Sequence, residues 1–214
     1  MKLNHLRRGT GIAVAALALS VTLTACGEDD KSSDANDDAP AAADGAAAQT
    51  FGEGCAQVPT DGAGSFDGMV NDPVATAASN NPLLTTLVTA VGAIDGLGDT
   101  LNGAEALTVF APYNGAFEEI PPKDLNGLVE GGMADGQDST LYKILAHHVV
   151  GMNADTDAVV GDHETLAGDS LTIEGDEDGM TVTDGTVTAN VLCGNIPTAN
   201  ATVYVIDKVL TGVK

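Results

Sequence analysis

The chain has 214 residues, 31 of them acidic and eight basic, and a formal net charge of −23. From residue 51 onward it carries four lysines and no arginine against 24 acids. Nucleic-acid binding requires Lys and Arg to neutralise phosphates, so this composition excludes it. Attraction to anionic lipid headgroups is excluded on the same ground, and mutual repulsion of the acidic surfaces favours a monomer.

The first residues have the features of an export signal. Lys2, Arg7 and Arg8 precede an uncharged apolar stretch, residues 11–23, too short to remain in a bilayer as a spanning helix. Leu23-Thr24-Ala25-Cys26 resembles the lipobox read by bacterial lipoprotein processing. We therefore predict a signal peptide over residues 1–25, with Cys26 lipidated and held at the extracytoplasmic face of the cell membrane by two acyl chains. The alternatives are an ordinary cleaved signal with an incidental cysteine, and release of the protein from the cell.

Residues 26–50 are predicted to form a disordered acidic tether. The segment after Cys26 contains Gly, Asp, Glu, Ala, Ser and Pro, with no aromatic residue and no aliphatic one larger than Ala before Gln49. Such a segment has nothing to bury, and its acids repel one another, so it should stay extended. An acidic interaction tail is the alternative. Residues 51–214 then have the length of one domain.

Two cysteines remain in that domain, Cys55 and Cys193. An even number of cysteines in an exported protein favours a disulfide. The bridge would close a loop of 138 residues. Two free thiols are the alternative.

The first half of the domain is predicted to be helical. Asp72 and Asn81, each followed by proline, are predicted N-caps, and Asp138-Ser139 is predicted to cap a stronger helix. In that helix Leu141, Ile144, Leu145 and His148 follow helical spacing and define one buried face. Further short helices are predicted from Asn114 to Ile120 and from Pro121-Pro122 onward, the latter ending in a loop at Gly131-Gly132.

The second half changes to a period of two, which indicates strands separated by turns rich in Gly and Asp. A strand from Leu107 to Ala111 comes earlier, and an antiparallel meander is predicted at His163–Leu166, Ser170–Glu174, Met180–Thr183, Thr186–Leu192 and Thr202–Ile206. Helices followed by a meander indicate an α+β domain.

Three segments in order carry a family resemblance over roughly residues 65–212. Leu107–Pro112 with Asn114, Ala116 and Phe117 resembles the first signature box of fasciclin-type domains. Residues 144–150 resemble the second box, and residues 203–210 resemble the closing strand. The resemblance implies a wedge or sandwich of β-strands packed with several short α-helices.

The resemblance narrows to the immunogenic secreted and lipid-anchored fasciclin proteins of mycobacteria and related actinobacteria. Residues 72–82, 99–103 and 198–204 carry this closer likeness, and those proteins also have a cysteine pair where Cys55 and Cys193 stand. Three positions depart from the family pattern, namely Tyr113, His147 and Ala201. His147 replaces a tyrosine implicated in adhesion in some animal members, so integrin-type adhesion does not transfer to this chain.

His147 and His148 are the candidate partner-binding residues. His148 lies on the apolar helix face and is predicted to be a core histidine bonded to the backbone. His147 is predicted to be exposed, since adjacent helical residues point about 100° apart. For the same reason the pair is poorly placed to bind one metal, and no metal or cofactor is predicted.

No catalytic constellation is visible in the sequence. There is no glycine-rich phosphate loop and no Ser or Cys nucleophile at family spacing from a His and an acid. The acidic turn Asp176-Glu177-Asp178 lacks the distal Glu of a calcium loop and is predicted to be a hairpin tip, with weak divalent binding as the alternative.

We therefore predict a non-enzymatic, lipid-anchored surface protein whose domain mediates adhesion or protein–protein interaction with an unidentified protein, cell-surface or matrix component. The alternative is a carrier for a small apolar ligand or envelope component. An apolar pocket in the structure would favour the carrier, and a closed core with an exposed apolar patch would favour adhesion.

Overall fold

The computed structural model describes residues 45–213. The predicted signal peptide, Cys26 and the predicted tether up to residue 44 lie outside the described residues. Eight α-helices occur in the described part: α1 Phe66–Met69, α2 Val74–Asn80, α3 Thr85–Gly92, α4 Leu97–Gly103, α5 Asn114–Glu118, α6 Pro122–Asp135, α7 Thr140–His147 and α8 Thr156–Val159. Short 3-10 helices cover Gly45–Gln49, Glu53–Gln57, Pro82–Leu84 and Gly136–Asp138. None of these helices is both long and apolar enough to cross a membrane.

The strands form one seven-stranded sheet. They are β1 Leu107–Pro112, β2 Val149–Val150, β3 Gly161–Glu164, β4 Ser170–Glu174, β5 Thr181–Thr183, β6 Thr188–Pro197 and β7 Ala201–Ile206. The spatial order is β2-β1-β7-β6-β5-β4-β3, and the two ends approach each other through a bridge between Val150 and Thr165. The sheet is therefore nearly closed, and the predicted α+β class is confirmed.

The predicted meander is present, since β3 to β7 pair antiparallel in chain order. The sequence did not predict the parallel pairing of β1 with β7, in which Val109 lies opposite Val203. Every residue of β7 is buried, because the helices cover one face of this strand and the sheet interior covers the other. Val203 and Val205 pack towards the helices, while Tyr204 and Ile206 pack inside the sheet.

The beginning of the ordered domain differs from the predicted boundary. The sequence predicts that the tether extends to residue 50, but Gly45–Gln49 forms a 3-10 helix held to the domain. The Asn195 amide donates to the Gln49 carbonyl at 2.9 Å, and the Ala46 N–H donates to Asp67 at 2.9 Å. These contacts use backbone groups, so the small side chains of the segment carry no hydrophobic signal for them.

The disulfide between Cys55 and Cys193 is present, with their Cα atoms 4.8 Å apart. It joins the 3-10 helix Glu53–Gln57 to β6. Phe51 also pairs with Gly194 through backbone hydrogen bonds, so the start of the domain is attached to β6 covalently and by a short ladder.

The predicted cap at Asp72 is wrong. Helix α2 begins after Pro73, and no side chain of the preceding residues caps it. Two asparagines distant in sequence accept its first N–H groups: Asn200 from Val74 at 2.9 Å, and Asn102 from Ala75 at 2.9 Å. The Asn200 amide also donates to carbonyls at the end of α4 and just after it, so this one side chain ties α2, α4 and the start of β7 together.

The predicted loop at Gly131-Gly132 is also wrong, because α6 continues to Asp135. Gly132 is buried at a close helix–helix approach. A Cβ built at this position would lie 2.7 Å from Leu141 and 3.0 Å from Ile94. The absence of a side chain at Gly132 therefore allows this packing, and the helix ends instead at Gly136, whose φ is +57°.

The predicted caps at Asn81 and Ser139 are present. Each side chain accepts a hydrogen bond from a backbone N–H of the helix that follows it.

Candidate binding cavity and the histidine pair

His148 lies at the end of α7, where the chain turns into β2. Its side chain is buried, and both ring nitrogens have backbone partners. Nδ1 donates to the Ile144 carbonyl at 2.7 Å, and Nε2 accepts from the Leu210 N–H at 3.0 Å. These partners select the neutral ring with its proton on Nδ1. The prediction of a core histidine bonded to the backbone is confirmed.

His147 is not exposed, and that prediction is wrong. The residue is 1% exposed. Its Nδ1 lies 3.4 Å from a carboxylate oxygen of Asp169, and its Nε2 lies 3.6 Å from one of Asp184. The last turn of α7 is covered on a second side by the loops before β4 and before β6, so a face that helical periodicity assigned to solvent is inside the protein. The predicted partner-binding role of this pair has no exposed imidazole to support it.

Asp184 organises the region around His147. Its carboxylate accepts hydrogen bonds from the N–H groups of Thr186, Val187 and Gly212 at 2.6–2.7 Å. Burial opposes ionisation of this group, but the three N–H donors and His147 outweigh that effect and hold the pKa of the carboxyl below its ordinary value. The β5–β6 turn, α7 and the C-terminal segment therefore meet at one buried carboxylate.

Because the fold favours the neutral ring of His148, the free energy of unfolding depends on pH. Burial lowers its pKa from 6.5 to about 4, and the Ile144 hydrogen bond only partly opposes this. Because the folded pKa lies below the unfolded one, the contribution is complete above about pH 6.5 and is lost as the pH falls towards 4. The shift corresponds to about 3 kcal/mol.

Urea unfolding at pH 7 and pH 4 measures this contribution, with His148→Asn as a non-titrating reference. We expect the wild type to lose about 3 kcal/mol more than the variant over that range. Identical losses in the two proteins would show that His148 does not carry the pH dependence.

A cavity of about 380 Å³ lies between the helices and strand β1. Most of its lining surface is apolar, contributed by α2, α3, α4, α7 and the start of β2, with Leu166 also in the lining. The aliphatic and aromatic lining residues are Val74, Ala75, Ala78, Leu87, Val88, Val91, Ile94, Leu97, Leu101, Val109, Phe110, Tyr142, Leu145, Ala146, Val149 and Leu166. A volume of this size falls within the range of small-molecule sites.

Glycines on the surrounding helices leave this space open. Gly92 and Gly98 line the cavity, and a Cβ built at either position meets no atom within 4 Å. In the sequence, Val88 and Val91 follow Leu84 and Leu87 at helical spacing, which predicts a buried position for both. Both side chains are only half-buried, because they face the cavity and not the side chains of a neighbouring element.

The polar groups of the lining are mostly satisfied within the protein. Ser79 donates to Ala75 at 2.7 Å, Thr100 donates to Gly96 at 2.9 Å, and His148 uses both nitrogens on the backbone. No histidine is therefore free to activate a hydroxyl of the lining. The wall offers a concave and largely apolar surface, as small-molecule sites do.

Other candidate groups stand apart from the cavity. The tip at Asp176-Glu177-Asp178 is an exposed hairpin turn in which Asp176 accepts from the Asp178 N–H at 3.0 Å. His163 lies in β3, opposite Leu171 of β4. Within residues 45–213, no group of three His, Cys, Asp or Glu side chains is placed to hold a metal ion.

The chain belongs to the fasciclin domain family, whose model matches residues 82–212. It is 45% identical over 172 residues to the cell surface glycolipoprotein MPB83 of Mycobacterium bovis, covering 77% of this chain and 73% of that protein. It is 43% identical over 173 residues to the immunogenic protein MPB70 of the same species, covering 77% of this chain and 83% of that one. A solved FAS1 domain pair from the insect cell adhesion molecule fasciclin I is 21% identical, with a TM-score of 0.45, over 60% of this chain and 44% of that chain.

Proposed function

We propose that this chain is a non-enzymatic, lipid-anchored surface protein whose fasciclin domain binds a small apolar molecule in the cavity beside α4. The cavity is the observation that carries the proposal. It has the size of a ligand site and an apolar lining, and the Ser79 and Thr100 hydroxyls in that lining donate to carbonyls of their own helices. The relatives named as cell surface and immunogenic proteins support a surface location.

Adhesion or protein–protein interaction is the second candidate. Leu166 is 54% exposed and borders the cavity, so an apolar side chain of a partner protein could contact it and enter the same space. The histidine pair no longer supports this candidate, because both rings are buried. The geometry therefore favours the small ligand over the protein partner.

Filling the cavity from within tests the proposal. In Gly98→Phe the new side chain enters open space without backbone strain, so the domain should fold and lose the site. Gly103→Phe is the matched control, since Gly103 lies on the same helix, is exposed, does not border the cavity and has the same free space at its Cβ. The probe is N-phenyl-1-naphthylamine, an uncharged dye that fluoresces in apolar sites.

We expect wild type and Gly103→Phe to bind the dye alike and Gly98→Phe to bind it at least about tenfold more weakly, a loss of about 1.4 kcal/mol. Equal binding by all three proteins would place the dye elsewhere and overturn the proposal, as would absence of binding to the wild type.

Anchoring through Cys26 has its own test. Cys26→Ser removes the thiol that would carry the lipid, so the variant should leave the detergent phase for the aqueous phase or stay unprocessed. Phase partitioning of whole cells measures this, with Ser32→Ala, which leaves Cys26 in place, as the control. A Cys26→Ser protein that partitions like the wild type contradicts the anchor.

A further inference from the structure

We infer that the cavity selects an uncharged apolar ligand and rejects an anionic one such as a fatty-acid carboxylate. This inference rests on the proposed function and names the chemical class of its ligand. It follows from the charges around the cavity and from the absence of a cationic side chain among the described residues of its wall.

The acidic groups of the lining lie on and next to α4. Asp95 and Asp99 border the cavity, and both are exposed, so their carboxylates face solvent at its mouth. No lysine or arginine occurs among the described lining residues. Lys143, which follows the lining residue Tyr142 on α7, is exposed and does not border the cavity. An anion entering here therefore approaches two like charges.

The remainder of the domain strengthens this field. Residues 51–214 carry 24 acids and four lysines, so the net charge of the domain adds to the repulsion of an anion. At an ionic strength of 0.01 M such charges act over about 30 Å, and at 1 M over about 3 Å. Rejection of an anion should therefore depend on salt.

The interior of the cavity adds a second barrier to any charged headgroup. A buried charge is stable only when it is paired or hydrogen-bonded. The lining hydroxyls of Ser79 and Thr100 already donate to carbonyls of their own helices, and the His148 ring is neutral with both nitrogens occupied. The Tyr142 hydroxyl is the remaining side-chain donor of the described lining, and it is uncharged. A ligand whose buried part is hydrocarbon and whose polar end is uncharged meets neither barrier.

Two dyes that differ by one sulfonate test the inference. N-phenyl-1-naphthylamine is uncharged, and its 8-sulfonate is an anion with the same ring system. Both are titrated into the full chain, at 0.01 M and 1 M NaCl. The proteins compared are wild type, Asp95→Asn/Asp99→Asn and the matched control Glu118→Gln/Glu119→Gln, which removes two exposed charges that do not border the cavity.

At low salt we expect the wild type to bind the uncharged dye at least about tenfold more tightly than the sulfonate. High salt and the Asp95→Asn/Asp99→Asn change should each lower the ratio of the two dyes' affinities about threefold or more. The Glu118→Gln/Glu119→Gln control should leave that affinity ratio closer to the wild-type value. A sulfonate that binds as tightly as the uncharged dye, or a ratio unmoved by the aspartate changes, overturns the inference and leaves the apolar-ligand function standing. If neither dye binds, the proposed function fails together with the inference.

Discussion

Removal of the Cys55–Cys193 bridge should lower the free energy of unfolding by about 5 kcal/mol, the largest single effect expected in this protein. The two cysteines are 138 residues apart, so the bridge constrains most of the unfolded domain. The chain-entropy model assigns about 5 kcal/mol to a loop of this length. A loss of that size approaches the whole stability of many domains.

Urea unfolding of the wild type and of Cys55→Ala/Cys193→Ala measures the effect. Alanine is used because Cys193 is 1% exposed and a serine would bury an additional hydroxyl there. Wild type treated with reductant should unfold at the same urea concentration as the double variant. A variant with the wild-type midpoint would show that the ladder between Phe51 and Gly194 holds the start of the domain without the bridge.

Truncation of His147 is the second large effect. The side chain fills a buried space between the carboxylates of Asp169 and Asp184, at 3.4 and 3.6 Å. In His147→Ala a cavity is left and the buried Asp184 carboxylate loses a neighbour that favours its ionised form. We expect a cost of about 2–4 kcal/mol.

The control is Lys143→Ala, an exposed position on the same helix, which should change stability by less than about 0.5 kcal/mol. A double-mutant cycle with Asp184→Ala should give a coupling of about 1 kcal/mol or more. Additive losses at the two positions would mean that the ring and the carboxylate do not interact, and that the cost at His147 is packing alone.

The parts of the fold that the sequence predicted correctly depend on local patterns. Ser139 caps the helix that follows it, and β7 is mostly apolar and is buried on both faces. The fasciclin-type boxes fall on β1, on α7 with β2, and on β7. Each of these signals lies within a few neighbouring residues, where spacing and residue type are visible without the structure.

The errors concern contacts between residues distant in the chain. The cap of α2 comes from Asn200, 126 residues after Val74, so no local rule could identify it. Helical periodicity predicts a single buried face for α7 and therefore places His147 in solvent. In the structure α7 is covered on two sides, so His147 is buried. The pair Gly131-Gly132 predicts a loop, although the missing side chain of Gly132 permits close packing of α6 against Leu141.

The cavity could not be predicted for a related reason. Its walls come from four helices, β1 and the start of β2. Two of these helices, α2 and α4, are linked by the Asn200 and Asn102 side chains, which are distant in sequence from the start of α2. The sequence identifies Val88 and Val91 as apolar helix residues, but apolar spacing is the same for a residue that meets a side chain and for one that meets an empty space.

Organic extraction of the intact protein purified from its own cell membranes tests the proposed function most directly. Each protein is washed with detergent before extraction to remove loosely associated lipid, and any covalently attached lipid stays on the protein. The extracts of wild type, Gly98→Phe and Gly103→Phe are then compared by mass spectrometry. We predict an uncharged apolar molecule at close to one per protein in the wild type and Gly103→Phe extracts, and its loss from Gly98→Phe. Three indistinguishable extracts would contradict the assignment of the cavity as a ligand site.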